Sequence, residues 1–262
     1  MRIKTMGVIN LTPDSFSDGG EVSSDNLLKK IQLYNQFDYI DIGAESTAPM
    51  NEAISFQEEW RRLSPFIELL PYLQTTISLD TYHPETIFKF AEVYKGPLLW
   101  NDVSGKFDRW VNDFLNLRLN CTYIFSHNLA PEREKTTLHM NYLSVQEGED
   151  FLKELKDYFL PYKRERVIFD PCLGFSKNFH QNWMILDHLS TFIESLDWKH
   201  WLIGFSRKSF LRQKYQCDLK DKIKLDELHL TELKRILPRG ECEIIIRTHR
   251  PELLAKSLVS SL

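Results

Sequence analysis

Short apolar runs recur along the chain, separated by longer segments whose apolar residues return every three or four positions. The short runs are MGVIN at 6–10, YIDIG at 39–43, TISLD at 76–80, PLLWN at 97–101, CTYIFS at 121–126, RVIFD at 166–170, HWLIGF at 200–205 and EIIIR at 243–247. Their length and near-continuous apolar character predict strands buried on both faces. Helical periodicity is predicted over Asp25 to Gln36, Phe56 to Leu70, Pro84 to Tyr94, Phe107 to Leu119, Val145 to Lys163, His180 to Leu196, Leu219 to Leu237 and Pro251 to Ser261. Pro84 and Pro251 stand where a first-turn proline is tolerated, and Ser55 and Asp25 are placed to cap the helices they precede. Each strand is followed by one helix, and no linker, low-complexity tract or repeat divides the chain. The pattern therefore predicts a single (β/α)8 TIM barrel over residues 1–262 in preference to an open doubly wound sheet.

In such a barrel the active site is built at the C-terminal ends of the strands. Those ends are polar throughout: Asn10, Asp41 with Glu45 beyond, Asp80, Asn101 with Asp102, Ser126 with His127, Asp170, Ser206 to Ser209, and Arg247 with His249. Singly, each has an ordinary structural use, as an Asp capping the next helix or a Lys solvated in a loop. Jointly they predict one site, because separate loops all place polar groups at the same end of the barrel. Asp80, Asn101 and Asp170 offer oxygens suited to a ligand edge with adjacent N–H donors, such as a 2-amino-4-oxopyrimidine. Lys208, Arg247 and His249 offer charge and donors to phosphate oxygens, and Asn10 offers a hard oxygen to Mg²⁺ bridging a diphosphate.

Composition narrows the classes without choosing among them. Lys plus Arg number 33 against 37 Asp plus Glu, a formal charge of −4, which excludes a general attraction to nucleic acid or anionic membrane. Basic groups that matter must act locally. Cys121, Cys172, Cys217 and Cys242 are scattered without CxxC pairing, which argues against a zinc site or a disulfide framework. Cys172 has no His or Asn partner arrangement to make it a nucleophile. The apolar run of MRIKTMGVINLTPDSF is too short for a signal peptide, and no later stretch reaches membrane-spanning length, so a cytoplasmic location is expected.

GVINLTPDSFSDGG, DIGAEST, ISLDT, WNDVSG, FDPCLGFSKN, IGFSRKSF and IIRTH resemble, in order, the motifs of dihydropteroate synthases, and the resemblance spans almost the whole chain. The first motif is the most specific, since TPDSFSDGG has no generic structural reason for its composition. The resemblance implies a transferase of folate biosynthesis that condenses 6-hydroxymethyl-7,8-dihydropterin diphosphate with p-aminobenzoate, with Mg²⁺ as cofactor. By the same resemblance Asn10 is the metal ligand and Thr47 a diphosphate contact. Asp80, Asn101 and Asp170 hold the pterin, Lys208 lies over its ring, and Arg247, Thr248 and His249 form the diphosphate site. Asp14, Phe16 and Ser17 enter the site as loops close, and Pro49, Phe175 and Ser209 line the slot for p-aminobenzoate. Catalytic roles fall to Asp14, Asp80, Asp170 and Lys208. An arylamine is already nucleophilic at neutral pH, so the absence of an activated Ser or Cys is consistent with this chemistry.

His127 and His139 lie where the family usually has a Met-His-Met pattern; a strand-end histidine is more commonly structural, and His127 is read so first. Other departures are Ala48, Pro49 and Met50 in place of Arg-Pro-Gly, Cys172 in place of a turn glycine, and Arg250 in place of an Asp. In the seventh predicted helix DKIKLDELHLTELKRIL replaces a run of small residues, which alters the surface through which the family's homodimers form. The chain also opens almost directly on strand one, and its six tryptophans are expected to fill core volume. Two other functions share the barrel: a pterin-dependent methyltransferase-type domain, which needs no diphosphate pole, and a divergent pterin-binding paralogue without synthase activity.

Overall fold

The computed structural model describes residues 2–12, 24–48, 51–218, 220–237 and 241–259. Strands β1 (Arg2–Asn10), β2 (Tyr39–Gly43), β3 (Thr76–Asp80), β4 (Leu98–Asp102), β5 (Cys121–Ser126), β6 (Val167–Asp170), β7 (His200–Ile203) and β8 (Glu243–Thr248) follow the predicted order. They pair in sequence order into a closed barrel. β1 closes on β8 in parallel, from Arg2 opposite Glu243 to Gly7 opposite Thr248. The expected (β/α)8 TIM barrel is the fold observed.

The apolar continuity of the strands resolves into two faces of period two. Outward-facing Ile40, Ile42, Ile77, Leu79, Trp100, Tyr123, Phe125, Phe169, Trp201, Ile203 and Ile246 join the helices in one large core cluster. Each fully buried side chain of this size stabilises the fold by roughly 1.5–3 kcal/mol. Inward-facing Met6, Leu99, Ile124, Ile168, Leu202 and Ile245 form a separate plug inside the barrel. Two residues further along four of these strands come Asn101, Ser126, Asp170 and Arg247. The inner face thus changes from apolar to polar toward the C-terminal mouth, and this change places the site. Trp100 and Trp201 are fully buried, and Trp60, Trp110 and Trp198 pack against the same core, as expected of space-filling residues.

Around the strands run α1 (Ser24–Tyr34), α2 (Phe56–Ile67), α3 (Pro84–Val93), α4 (Arg109–Leu117), α5 (Gly148–Phe159), α6 (Phe179–Asp187), α7 (Leu189–Leu196), α8 (Ser209–Tyr215), α9 (Lys222–Ile236) and α10 (Pro251–Val259). Ser55 caps α2 by accepting from the Glu58 N–H, whereas Asp25 lies inside the first turn of α1 and does not precede it. The single helix expected over His180 to Leu196 is two, broken at His188 (φ −110°, ψ 15°). No proline or glycine marks that break. α8 and the 3-10 segment Arg133–Asn141 were not apparent from periodicity. β1 begins at Arg2 and not Met6, because its charged first half is paired: Lys4 meets Glu243 of β8 at 3.1 Å.

Candidate active site

A cavity of about 560 Å³ opens at the C-terminal mouth of the barrel. Its wall includes Asn10, Thr47, Asp80, Asn101, Asp170, Phe175, Lys208, Ser209, Arg247 and His249, which brings together residues from β1, β3, β4, β6 and β8 and the loops after β2, β6 and β7. Thr248 stands apart from them: it is buried outside the cavity wall, and its hydroxyl accepts from the Arg250 N–H. Alternation along β8 explains this, since neighbours of an inward-facing Arg247 point outward. Asp14, Phe16, Ser17 and Pro49 lie outside the described residues.

The acidic and basic poles expected from the sequence are not separate. Arg247 donates from Nε to Asp41 Oδ2 and from Nη2 to Asp80 Oδ2, both at 2.6 Å. Inward side chains at one height of a closed barrel converge on its axis, so residues of β8, β2 and β3 meet there. Gly204 permits the approach, because a Cβ at that position would lie 3.3 Å from Arg247 Cβ. Asp41, fully buried, also accepts from Ser78 Oγ at 2.6 Å and from Asn101 Nδ2. Asp41 was noted in the sequence only as a strand-end carboxylate and is the hub of this network. Burial pushes the Asp80 carboxyl up to about 7 against the pull of Arg247. Burial likewise raises Asp170 to about 6, opposed by the Cys172 N–H that its Oδ1 accepts at 2.7 Å.

Asn101 carries the most informative atom of the site. Its Nδ2 faces both Asp41 oxygens at 3.2 Å, which fixes the amide's orientation. Its Oδ1 is therefore turned away from Asp41, buried and without a partner. An orphaned buried acceptor costs about 1–3 kcal/mol, and a ligand N–H at this wall would recover it.

Cationic groups occupy the side of the mouth built from β7, β8 and α9. Lys208 Nζ lies 4.1 Å from the centroid of the Phe175 ring, and burial lowers its pKa. Gly174 (φ +85°) makes room for its stem, since a Cβ there would meet Lys208 Cδ at 3.1 Å. Arg207 forks onto Asp226 of α9 at 2.9 and 2.7 Å, and Lys222 of α9 also lines the cavity. His249 Nδ1 is 3.1 Å from Ser206 Oγ. Burial and the neighbouring Arg207 and Arg247 hold that imidazole well below its usual pKa, so it is neutral and surrounded by positive charge. Arg207 and Arg247 are each already paired with carboxylates, which leaves Lys208 and Lys222 as the cations on this side of the wall without a carboxylate partner among the described residues.

The loop after β6 is held from beneath. Lys177, 1% exposed, donates to the carbonyls of His127 (3.0 Å), Phe175 (3.0 Å) and Cys172 (3.3 Å). Cys172 takes the left-handed conformation (φ +53°), and burial pushes its thiol up to about 12, which makes it no nucleophile. His127 is fully buried among Phe151, Tyr158 and Phe159, away from the cavity wall, and is a core residue. Among the described residues no cluster of three or more His, Cys, Asp or Glu side chains is placed to hold a metal. Asn10 on the cavity wall offers a hard oxygen that would suit a Mg²⁺ arriving with phosphate oxygens and retaining its waters.

Residues Lys222, Met140 and Arg207 join the wall without having been assigned a role from the sequence. Lys222 and Met140 are supplied by α9 and the 3-10 segment, and nothing in their local sequence signals that these elements fold over the mouth.

A family model described as pterin binding enzyme matches residues 6–234. The chain is 31% identical over 231 residues to the dihydropteroate synthase of Clostridium beijerinckii, covering 85% of this chain and 81% of that protein. It is 35% identical over 221 residues to the folic acid synthesis protein fol1 of Schizosaccharomyces pombe, covering 79% of this chain but only 29% of that longer protein. The structure of FolP (dihydropteroate synthase) from Clostridium difficile, determined in the presence of pteroic acid, superposes with a TM-score of 0.77 and 25% identity, covering 99% of this chain and 95% of that one.

Proposed function

Because the chain belongs to the pterin binding enzyme family, we propose that it condenses 6-hydroxymethyl-7,8-dihydropterin diphosphate with p-aminobenzoate to give 7,8-dihydropteroate and pyrophosphate. The observation that carries this reading is the unpartnered Asn101 Oδ1 on a wall shared with Asp80 and Asp170. Three oxygen-bearing side chains at one edge suit the contiguous N–H donors of a 2-amino-4-oxo pterin. The donors of Lys208, Arg247 and His249 on the same cavity suit the diphosphate.

In this reading the bond from the pterin methylene carbon to the diphosphate oxygen breaks and a bond from that carbon to the arylamine nitrogen forms, with one amine proton released. Lys208, Arg247 and His249, with Arg207 and Lys222 beside them on the wall, stabilise the charge that develops on the departing group, and Asp80 and Asp170 stabilise the electron-poor ring left behind. Mg²⁺, held by Asn10 and diphosphate oxygens, would add neutralising charge at the leaving group. Phe175 and Ser209 line the arylamine slot, with Thr47 toward the diphosphate. Among the described residues no helix is long and apolar enough to cross a membrane. Four free cysteines suit a reducing compartment, and the cytoplasm is the location proposed. The exposed Lys222, Lys224, Glu227, Lys234 and Arg235 of α9 support a weaker homodimer than the family forms through this region.

The test is turnover of purified protein with the pterin diphosphate, p-aminobenzoate and Mg²⁺. Pyrophosphate and dihydropteroate appearing in equal amounts are expected; no pyrophosphate with p-aminobenzoate present overturns the reading in favour of a non-synthase member of the family.

A further inference from the structure

Three loops meet at one wall of the cavity through a single imidazole. His139, fully buried, lies near the end of the Arg133–Asn141 segment. Its ring stacks on Phe175, with centroids 4.1 Å apart and planes inclined by 29°. Its Nδ1 is 3.4 Å from the Ser176 backbone nitrogen, and its Nε2 is 3.2 Å from the Thr47 carbonyl oxygen. A carbonyl only accepts and a backbone N–H only donates, so one neutral tautomer, protonated on Nε2, satisfies both partners. Burial and the nearby Lys208 hold the group to about 4, which keeps that tautomer in place at neutral pH.

The segment that carries His139 is anchored at its other end. Arg133 donates to Asp102 at 2.6 Å, to Asp108 at 2.8 Å and to Ser104 at 3.0 Å. Ser176 Oγ adds a bond to the His139 carbonyl at 3.1 Å. His139 itself does not line the cavity, but Thr47 and Phe175 on either side of it do, as does its neighbour Met140. Those contacts leave the Phe175 ring and the Thr47 backbone little freedom to move relative to each other.

We propose that His139 is the positioning residue of the arylamine slot, fixing the Phe175 ring against the Thr47 backbone so that the slot has its width before the arylamine enters. This rests on the synthase reading for the identity of the slot. Pterin recognition by Asp80, Asn101 and Asp170 lies on other strands, and His139 meets only the backbone carbonyl of Thr47, whose side chain is left to the diphosphate, so the arylamine is the substrate more affected by loss of the imidazole.

The experiment compares wild type, His139→Ala and His139→Gln. For His139→Ala the KM for p-aminobenzoate is expected to rise about tenfold, while that for the pterin diphosphate changes by about threefold or less. Glutamine keeps a donor for Thr47 and an acceptor for Ser176 and should recover part of the loss. A residue of structural importance alone would lower the thermal midpoint and kcat and leave the ratio of the two KM values as in wild type; that result in both variants overturns the proposal. Wild-type protein that binds p-aminobenzoate in a calorimetric titration yet makes no dihydropteroate defeats the synthase reading alone, and the same comparison then runs on Kd. Wild-type protein that neither reacts with nor binds p-aminobenzoate overturns both.

Discussion

Arg247 and Asp80, on strands β8 and β3 and 167 residues apart in the sequence, share a hydrogen bond of 2.6 Å at the mouth of the barrel. The same guanidinium neutralises Asp41, so its removal strands two carboxylates in a poorly solvated site. Breaking such a buried arrangement from one side typically costs about 3–5 kcal/mol. Arg247→Met is therefore expected to lose about 3 kcal/mol of stability as well as turnover. Urea denaturation of Arg247→Met, Asp80→Asn and the double variant measures the coupling, which is absent if the two losses simply add.

Asn101 makes a cleaner probe of ligand recognition. Asn101→Leu keeps approximate volume but removes the orphaned Oδ1, and it also takes the Nδ2 donor from Asp41. Pteroic acid is expected to bind about tenfold or more weakly. Calorimetry with the two proteins checks this, and equal affinities would remove Asn101 from the ligand's edge.

Much of this site was legible because strand-end positions announce themselves as polar breaks after apolar runs: Asp80, Asn101, Asp170 and Arg247 all end such runs and all line one cavity. Their mutual contacts were not legible. That Arg247 reaches Asp80 follows from barrel closure, which no local pattern states. Met140 and Lys222 were missed for a related reason, since their place on the wall depends on a segment and a helix folding back over the mouth. Thr248 was assigned with its neighbours Arg247 and His249, and strand alternation turns it away. The break at His188 shows the limit of periodicity, because the apolar spacing continues on both sides of it.

Asp170 should make both stability and binding depend on pH. Its carboxyl titrates at about 6 in the folded protein and near 4 when unfolded, so the folded state binds the proton more tightly. Stability from this group is full below about pH 4 and is lost as pH rises through about 6. Asp170→Asn is expected to show a decline between those values smaller by roughly 2–3 kcal/mol, measured by urea denaturation. Ligand N–H donors favour the carboxylate, so pteroic acid should bind wild type more tightly as pH rises through this range. An unchanged pH profile in the variant would assign the titration to another group.

Lys208 and Gly174 separate catalysis from stability most directly. Lys208→Met retains a long apolar stem over Phe175 but no charge, so turnover should be abolished with the fold intact. Gly174→Ala reaches the same lysine indirectly. The added methyl would lie 3.1 Å from Lys208 Cδ, at a backbone with φ of +85° that L side chains rarely adopt. Strain of this kind costs about 1–2 kcal/mol, well within the reserve of an ordinary domain. Gly174→Ala is therefore expected to fold with a modestly lowered thermal midpoint while kcat falls several-fold, as the Lys208 stem gives by a few tenths of an ångström and its ammonium shifts over the ring. Steady-state kinetics beside a thermal melt decides the matter: a lowered midpoint with wild-type kcat would mean that the position of Lys208 over Phe175 does not matter to the reaction.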